Sequence, residues 1–307
     1  MSTEASSVID SAPQRGTAAA LVVGMRPKQW LKNVLVFAAP LAAGSLLQPD
    51  VLVPSLVAFV AFCLMSSATY LLNDVRDVDA DRVHPTKRHR PIAAGELSPT
   101  VALVFALILA LVALGLALLI NIGLAGVLVA YAACTISYSM FLKHEPVIEL
   151  ALLALGFLLR AIAGGVASEL PISQWFLIVA GFGSLFMAAG KRYSELTHNE
   201  ANGDYSSASR RSLAGYTPTY LRFVWATSAA VTITGYCLWA FEVSAAPSTL
   251  PWALWSVVPF VLAILRYAID VDRGDAEAPE DVVLRDPMML VLGLIWLVLF
   301  ALGALGV

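Results

Sequence analysis

The chain has 307 residues, of which 59% are hydrophobic and only 13% charged, against about 25% charged in an ordinary soluble domain. Its formal net charge is -3. It has neither the polarity of a disordered chain nor the positive charge that attracts nucleic acid, and the composition is that of a polytopic membrane protein.

The N-terminus, MSTEASSVIDSAPQRG, is polar, Ser-rich and mixed in charge. It lacks the basic start and cleavage pattern of a signal peptide, which predicts a disordered tail over residues 1–16 ahead of a single domain over 17–307. Nine apolar stretches follow, centred near Val36, Val60, Leu109, Ala130, Leu155, Val179, Val231, Val261 and Leu294. Each is long enough to cross a hydrocarbon core about 30 Å thick. Helices satisfy their own backbone there, so the expected fold class is all-α integral membrane, with nine transmembrane helices. Turn signals separate the spans at Gln48-Pro49-Asp50, Asn121-Ile122-Gly123, Glu169-Leu170-Pro171 and Ala246-Pro247. Cys63, Cys134 and Cys237 all lie in apolar runs and read as small apolar filler, not as disulfides or zinc ligands.

The basic residues set the expected orientation. Of 19 Lys and Arg, only Arg160 falls inside a span; four alternate connections carry none. By the positive-inside pattern, the N-terminus and all the basic loops face the cytoplasm, and an odd number of spans puts Val307 outside. The two largest polar loops, near 71–99 and 191–219, then lie on the same side. Their spacing suggests a repeat of four helices and a loop, without visible sequence self-similarity.

The second span runs into Asn73-Asp74-Val75-Arg76-Asp77-Val78-Asp79-Ala80-Asp81. On a helix, Asp74, Asp77 and Asp81 share one face, and three carboxylates on one stripe repel unless a cation lies among them. Mg²⁺ usually binds through one or two carboxylates plus substrate phosphates. These three are therefore the candidate metal ligands of a Mg²⁺–diphosphate site, with Asn73 orienting a ligand or a water. An EF-hand is excluded by the missing Gly and terminal Glu. The basic run after it supplies Arg82, Lys87, Arg88 and Arg90 to grip phosphate oxygens; an anionic-lipid patch is the other use of such a run. His84 and His89 lack the spacing of a zinc pair.

Outside this motif, Lys28 and Lys32 are i, i+4 at the start of the first span, able to hold phosphate or to snorkel, and Trp30 reads as an interface anchor. Arg160 is costly at mid-span, at least about 2.5–3.5 kcal/mol, and calls for a polar cavity with an anionic substrate, or for a structural pair. Glu149, 11 residues before it, is too far along the helix to be that pair. Lys191 and Glu195 are again i, i+4: a surface ion pair, or Lys191 on a phosphate with Glu195 near the metal or a ribose hydroxyl and Tyr193 adding a hydrogen bond. The acidic stretch from Asp270 to Asp281 reads as a solvated loop. Gly164-Gly165 and the Gly181–Gly190 run give small faces for close helix packing or room for an isoprenoid chain.

The pattern Asn73-Asp74-x-x-Asp77-x-x-x-Asp81, followed by Arg82-x-His84-Pro85-x-Lys87-Arg88-x-Arg90-Pro91-Ile92-Ala93-x-Gly95, resembles the first signature of the UbiA-type intramembrane transferases. The resemblance implies nine helices around a central, lipid-opening cavity with cytosolic-side loops. Arg26-Pro27-Lys28-Gln29-Trp30-Leu31-Lys32-Asn33 and Lys191-Arg192-Tyr193-Ser194-Glu195-Leu196 are similar to the branch that transfers a phosphoribosyl group to a polyprenyl phosphate, which adds Asn33 to the candidate substrate-binding residues. It implies transfer of 5-phosphoribosyl from phosphoribosyl diphosphate to polyprenyl (decaprenyl) phosphate with release of diphosphate, a plasma-membrane step toward the arabinose donor of the actinobacterial cell wall, with Mg²⁺ as cofactor. Expected partners are the two substrates and membrane lipids, with a homo-oligomer open. Prenyl-diphosphate users of the superfamily carry a second Asp-rich motif where this chain reads Lys191-Arg192-Tyr193-Ser194-Glu195. That departure weakens the alternative of an aromatic or haem prenyltransferase. A non-enzymatic anion transporter built on Arg160 would not need three carboxylates in metal-binding phase.

Overall fold

The computed structural model describes residues 15–202, 213, 215–244, 250–276 and 279–305. The tail expected over 1–16 falls outside them save for Arg15 and Gly16, as do the Ala246-Pro247 turn and Val307. The helices are α1 (Thr17–Met25), α2 (Ala38–Ala42), α3 (Pro49–Arg76), α4 (Val78–Arg82), α5 (Pro99–Ile120), α6 (Ile122–Ser137), α7 (Ile148–Ala167), α8 (Gln174–Asn202), α9 (Pro218–Ser244), α10 (Trp252–Arg273), α11 (Pro279–Arg285) and α12 (Pro287–Leu305). Among the described residues, eight helical segments are long and apolar enough to cross a membrane, and the chain is a multi-pass membrane protein.

The ninth expected span, around Val36, is not one continuous α-helix. It is built from α1, a 3₁₀ segment at Pro27–Phe37 and the short α2. Pro40 has no N–H to give the carbonyl of Val36, so an α-helical run through this point would lose a bond. Within the segment the buried residues, Asn33 and Val36, are three positions apart, the period of a 3₁₀ helix. In that geometry, residues four apart are about 120° apart around the axis, so Lys28 and Lys32 do not share the face an α-helix would give them.

The chain divides into two compact units, one formed by residues up to Leu31 with Cys63–Val112, the other by Lys32–Phe62 with Ala113–Val307. In the first, Ala20, Leu71, Ile92, Leu97, Ala102 and Leu109 form a buried core. Ile92 and Leu97 bracket a tight turn whose Gly95 has φ +78°, a conformation that favours glycine. The turn ties the polar loop after α4 back onto the core.

In the second unit, α8 packs against α7 and α9, and α10 against α9 and α12. Phe186, Leu221, Tyr267 and Val271 lie at one core; Tyr236, Trp239, Ala253 and Phe300 form another. Gly164 of α7 packs directly on the carbonyl of Val36, with the Pro40 ring beside it. Side chains larger than hydrogen have no room there, and the approach fixes the 3₁₀ segment's C-terminal part against α7.

Candidate functional site

The aspartate motif straddles the end of α3. Asp77 breaks the regular helix with φ -90° and ψ 10°, yet its N–H still reaches Asn73 O at 2.9 Å and Asp81 N–H reaches Asp77 O at 2.8 Å. The helical advance therefore survives the break. Asp74 and Asp81 end up buried, at 3% and 4% exposure; Asp77 and Asn73 are half-buried.

One arginine joins the two buried carboxylates. Arg90 Nη1 lies 3.1 Å from Asp74 Oδ1 and 2.7 Å from Asp81 Oδ2. Arg26 pairs with the same Asp74 oxygen and stacks 5.0 Å over the Tyr70 ring. Arg26 caps α1 in the left-handed region, at φ 54°, which turns the chain so that the guanidinium meets α3. Trp30 is held by more than an interface, since its Nε1 donates to Ser67 Oγ at 3.0 Å.

Of the basic run, only Arg90 is drawn onto the carboxylates that face it. Arg82 pairs with the exposed Asp79 at 3.2 Å. Lys87 and Arg88 are exposed on a short 3₁₀ turn, and His84 Nδ1 accepts from the N–H of Thr86 and Lys87 at 3.2 and 3.3 Å. His84 thus shapes the loop.

The residues fit a hard divalent cation in chemistry. Among the described residues no group of three His, Cys, Asp or Glu is gathered as a ready metal cage; the structure brings together Asp74 and Asp81, with Asp77 at the break between them. Two carboxylates suffice for Mg²⁺ when substrate phosphates complete its shell, and the arginines now balancing their charge can equally serve phosphate.

The second unit carries two further polar clusters. Arg160, 6% exposed, donates Nε to Asn33 Oδ1 at 2.7 Å, Nη1 to Gly156 O at 2.8 Å and Nη2 to Tyr131 Oη at 2.7 Å. Its guanidinium also lies 4.6 Å from the Tyr131 ring centroid. These neutral partners fasten α7 to α6 and to the 3₁₀ segment; Asn33 is thereby a structural acceptor for Arg160, and Lys32 beside it is half-buried.

The other cluster centres on Arg192. It pairs with Glu149 and Glu195 and donates to Tyr138 Oη at 2.9 Å. Lys191 Nζ lies 3.8 Å from Glu195. Tyr193, 3% exposed, points into the core, where its hydroxyl accepts from Arg222 at 2.7 Å, so it is set apart from its neighbours on α8. Tyr216 donates to Glu149 Oε2 at 3.2 Å; burial pushes its phenol up to about 12. Arg26, Tyr131, Glu149, Arg192 and Tyr216 were not evident as site residues from spacing alone. For Glu149 the signal is an acid at the head of an apolar span, which demands a cationic partner.

Comparison with known proteins gives the family. The model of the UbiA prenyltransferase family matches residues 34–292. The decaprenyl-phosphate phosphoribosyltransferase of Corynebacterium glutamicum is 50% identical over 289 residues, covering 92% of this chain and 86% of that protein. Its namesake from Mycobacterium tuberculosis is 49% identical, covering 93% and 94%. A solved UbiA homolog from Archaeoglobus fulgidus bound to GPP and Mg²⁺ shares the fold at a TM-score of 0.69 and 18% identity, over 94% of this chain and 100% of that one. With a match across most of its length, the chain belongs to the UbiA prenyltransferase family.

Proposed function

We propose that the chain transfers a 5-phosphoribosyl group from phosphoribosyl diphosphate to the phosphate of decaprenyl, or a similar polyprenyl, phosphate. The observation that carries this reading is the near-50% identity to decaprenyl-phosphate phosphoribosyltransferases over more than nine-tenths of the chain. The Lys191–Glu195 segment supports it too, since it holds no paired aspartates of the kind prenyl-diphosphate users carry.

In this reaction an acceptor phosphate oxygen bonds to ribosyl C1 as the bond from C1 to the diphosphate oxygen breaks. Charge builds on the leaving group, with oxocarbenium character at C1 as in glycoside chemistry. Asp74 and Asp81, with Asp77, are the residues that would hold Mg²⁺, which when bound supplies charge neutralisation for the diphosphate. Arg26 and Arg90, paired with those carboxylates, would exchange them for phosphate oxygens, and Lys28, Arg82, Lys87 and Arg88 would add positive charge along the same polar segments. The acceptor is a phosphate monoester with a second pKa of about 6, already ionised near neutrality, so no strong general base is required. Positioning and electrostatics carry the rate. The one-sided distribution of Lys and Arg supports a cytoplasmic mouth at the plasma membrane, and the product suits polyprenyl-linked cell-wall sugar synthesis.

The test is incubation of the purified protein with labelled phosphoribosyl diphosphate, Mg²⁺ and polyprenyl phosphate. A labelled, Mg²⁺-dependent lipid is expected. Turnover only with a prenyl diphosphate and an aromatic acceptor would overturn the assignment.

A further inference from the structure

Ser67, Tyr70 and Asp74 are spaced i, i+3 and i+7 on α3, which sets them along one face, and the chain around Arg26 lies against that face. The Ser67 hydroxyl, on a residue 0% exposed, accepts from Trp30 Nε1 at 3.0 Å and lies 3.0 Å from Met25 O and 2.7 Å from Cys63 O. One buried hydroxyl thus ties the residue before Arg26, and the residue four after it, to α3. Gly24 adds a close approach to the Leu71 side chain. Between these ties Arg26 sits at φ 54°, uncommon for a residue other than glycine and maintained only where the surroundings hold it. One step along the face, the guanidinium carbon lies 5.0 Å from the Tyr70 ring centroid, within cation–π range. One step further, Nη2 pairs with Asp74.

The clasp and the ring add nothing to the charge balance of Asp74, which already has Arg90 at 3.1 Å. Their effect is on the direction of Arg26. A ring takes the flat face of a guanidinium and leaves the N–H groups in its plane free to donate. Among the described residues only Nη2 is hydrogen-bonded, and the side chain is 26% exposed, so Nε and Nη1 have donors to give. Once Asp74 turns to a cation, an arginine held by nothing else regains its rotamers, and ordering it again costs binding energy. With the ring beneath it, the guanidinium keeps its plane, and a phosphate meets a planar fork already oriented.

We propose that Tyr70 is a positioning residue for the donor: its ring holds the Arg26 guanidinium in the plane in which it grips the diphosphate, while Ser67 and Trp30 fix the backbone from which Arg26 reaches. The proposal rests on the phosphoribosyl-transfer reading above, and every residue in it belongs to the first compact unit.

The experiment titrates inorganic diphosphate by calorimetry, with Mg²⁺ present, into full-length wild-type, Tyr70→Phe, Tyr70→Leu, Arg26→Gln and doubly substituted Arg26→Gln, Tyr70→Leu proteins. The same proteins are assayed for kcat and KM with phosphoribosyl diphosphate. Tyr70→Leu is expected to raise the diphosphate Kd and the donor KM about three- to tenfold, the scale of a partly desolvated cation–π contact, with little change in kcat. Tyr70→Phe keeps the ring and stays near wild type in both. In the Arg26→Gln background Tyr70→Leu is expected to have no further effect, because it acts through the guanidinium. If Tyr70→Leu does not purify as a monodisperse species, Tyr70→Met, which also lacks a ring, gives the same reading. Equal losses in Tyr70→Phe and Tyr70→Leu overturn the proposal, as does an unchanged Kd in Tyr70→Leu or a loss undiminished in the Arg26→Gln background. A wild-type protein that binds no diphosphate overturns it too. One that binds diphosphate yet forms no labelled lipid overturns the transfer reading alone, and the Kd values still decide the role of Tyr70.

Discussion

Arg160 Nε lies 2.7 Å from Asn33 Oδ1, joining the middle of α7 to a 3₁₀ segment 127 residues earlier. The acceptor is neutral, and with Gly156 O and Tyr131 Oη it meets the hydrogen bonds of a buried guanidinium. The two residues are not equivalent when removed. Asn33→Leu leaves the Nε–H of a buried cation facing an apolar side chain, whereas Arg160→Met removes the charge and leaves only neutral polar groups unpaired, at about 1–3 kcal/mol. Asn33→Leu is therefore expected to lower the thermal midpoint of the purified protein more than Arg160→Met, as measured by size-exclusion chromatography after heating. The reverse order would show that Asn33 is not the acceptor on which the guanidinium depends.

Close packing of the same two elements makes a second, sharper prediction. A Cβ at Gly164 would run into the Val36 carbonyl and the Pro40 ring, whereas one at Gly126 meets nothing within 4 Å. Gly164→Ala is expected to destabilise by about 1–3 kcal/mol, the cost of overpacking. Gly126→Ala, in the interior of α6, is expected to stabilise by up to about 1 kcal/mol through helix propensity. Thermal midpoints of the two variants should move in opposite directions; a shared direction would refute the contact at Val36.

Much of this fold is legible in the sequence because lipid imposes a simple rule: a crossing helix needs a long apolar run, and eight of the nine expected stretches have one. The stretch around Val36 is less legible because Lys28, Gln29, Lys32 and Asn33 interrupt it and Pro40 forbids a regular helix. The three-residue spacing of Asn33 and Val36 fits the 3₁₀ period, but an α-helical template of 3.6 overlooks it. The aspartate motif is local, and helical phase is enough to bring Asp74 near Asp81. Its arginine partners are not local in the same way: Arg90 lies 16 residues and Arg26 48 residues from Asp74, and tertiary folding selects them from many basic residues nearby. Arg192 is hidden for another reason. Lys191 makes the helical i, i+4 pair with Glu195, while Arg192 makes an i, i+3 pair and also reaches across to α7.

Tyr216 gives a pH dependence with a defined sign. Its hydroxyl bridges Val147 N–H and Glu149, and burial raises its pKa to about 12, above the value of about 10 in an unfolded chain. Between these values the unfolded state has lost the proton and the folded state keeps it, so stability falls as pH rises. The contribution is complete below pH about 10 and is lost on passing about 12. Tyr216→Phe removes this dependence. The stability advantage of wild type over Tyr216→Phe should shrink between pH 9 and 12 when thermal midpoints are followed by intrinsic fluorescence; a constant difference would contradict the assignment.

The carboxylate pair in the aspartate motif leads to a test of how charge is shared there. Arg90 spans two carboxylates with one nitrogen, at 3.1 and 2.7 Å, while Arg26 holds only Asp74. If these arginines hand the carboxylates to a cation and take up phosphate, removing a carboxylate weakens metal binding, and removing an arginine weakens donor binding. Asp81→Asn is expected to lower kcat by about 10²–10³, the scale of one lost electrostatic stabiliser, and to raise the Mg²⁺ concentration needed for half-maximal rate. Arg90→Lys keeps the charge but not the planar fork; it is expected to raise KM for phosphoribosyl diphosphate with a smaller change in kcat. Arg90→Gln should do so more strongly. Initial rates across a grid of Mg²⁺ and donor concentrations separate the two effects. Identical profiles for Asp81→Asn and Arg90→Lys would mean that the arginine serves only to hold the carboxylates together, with no part in seizing the donor.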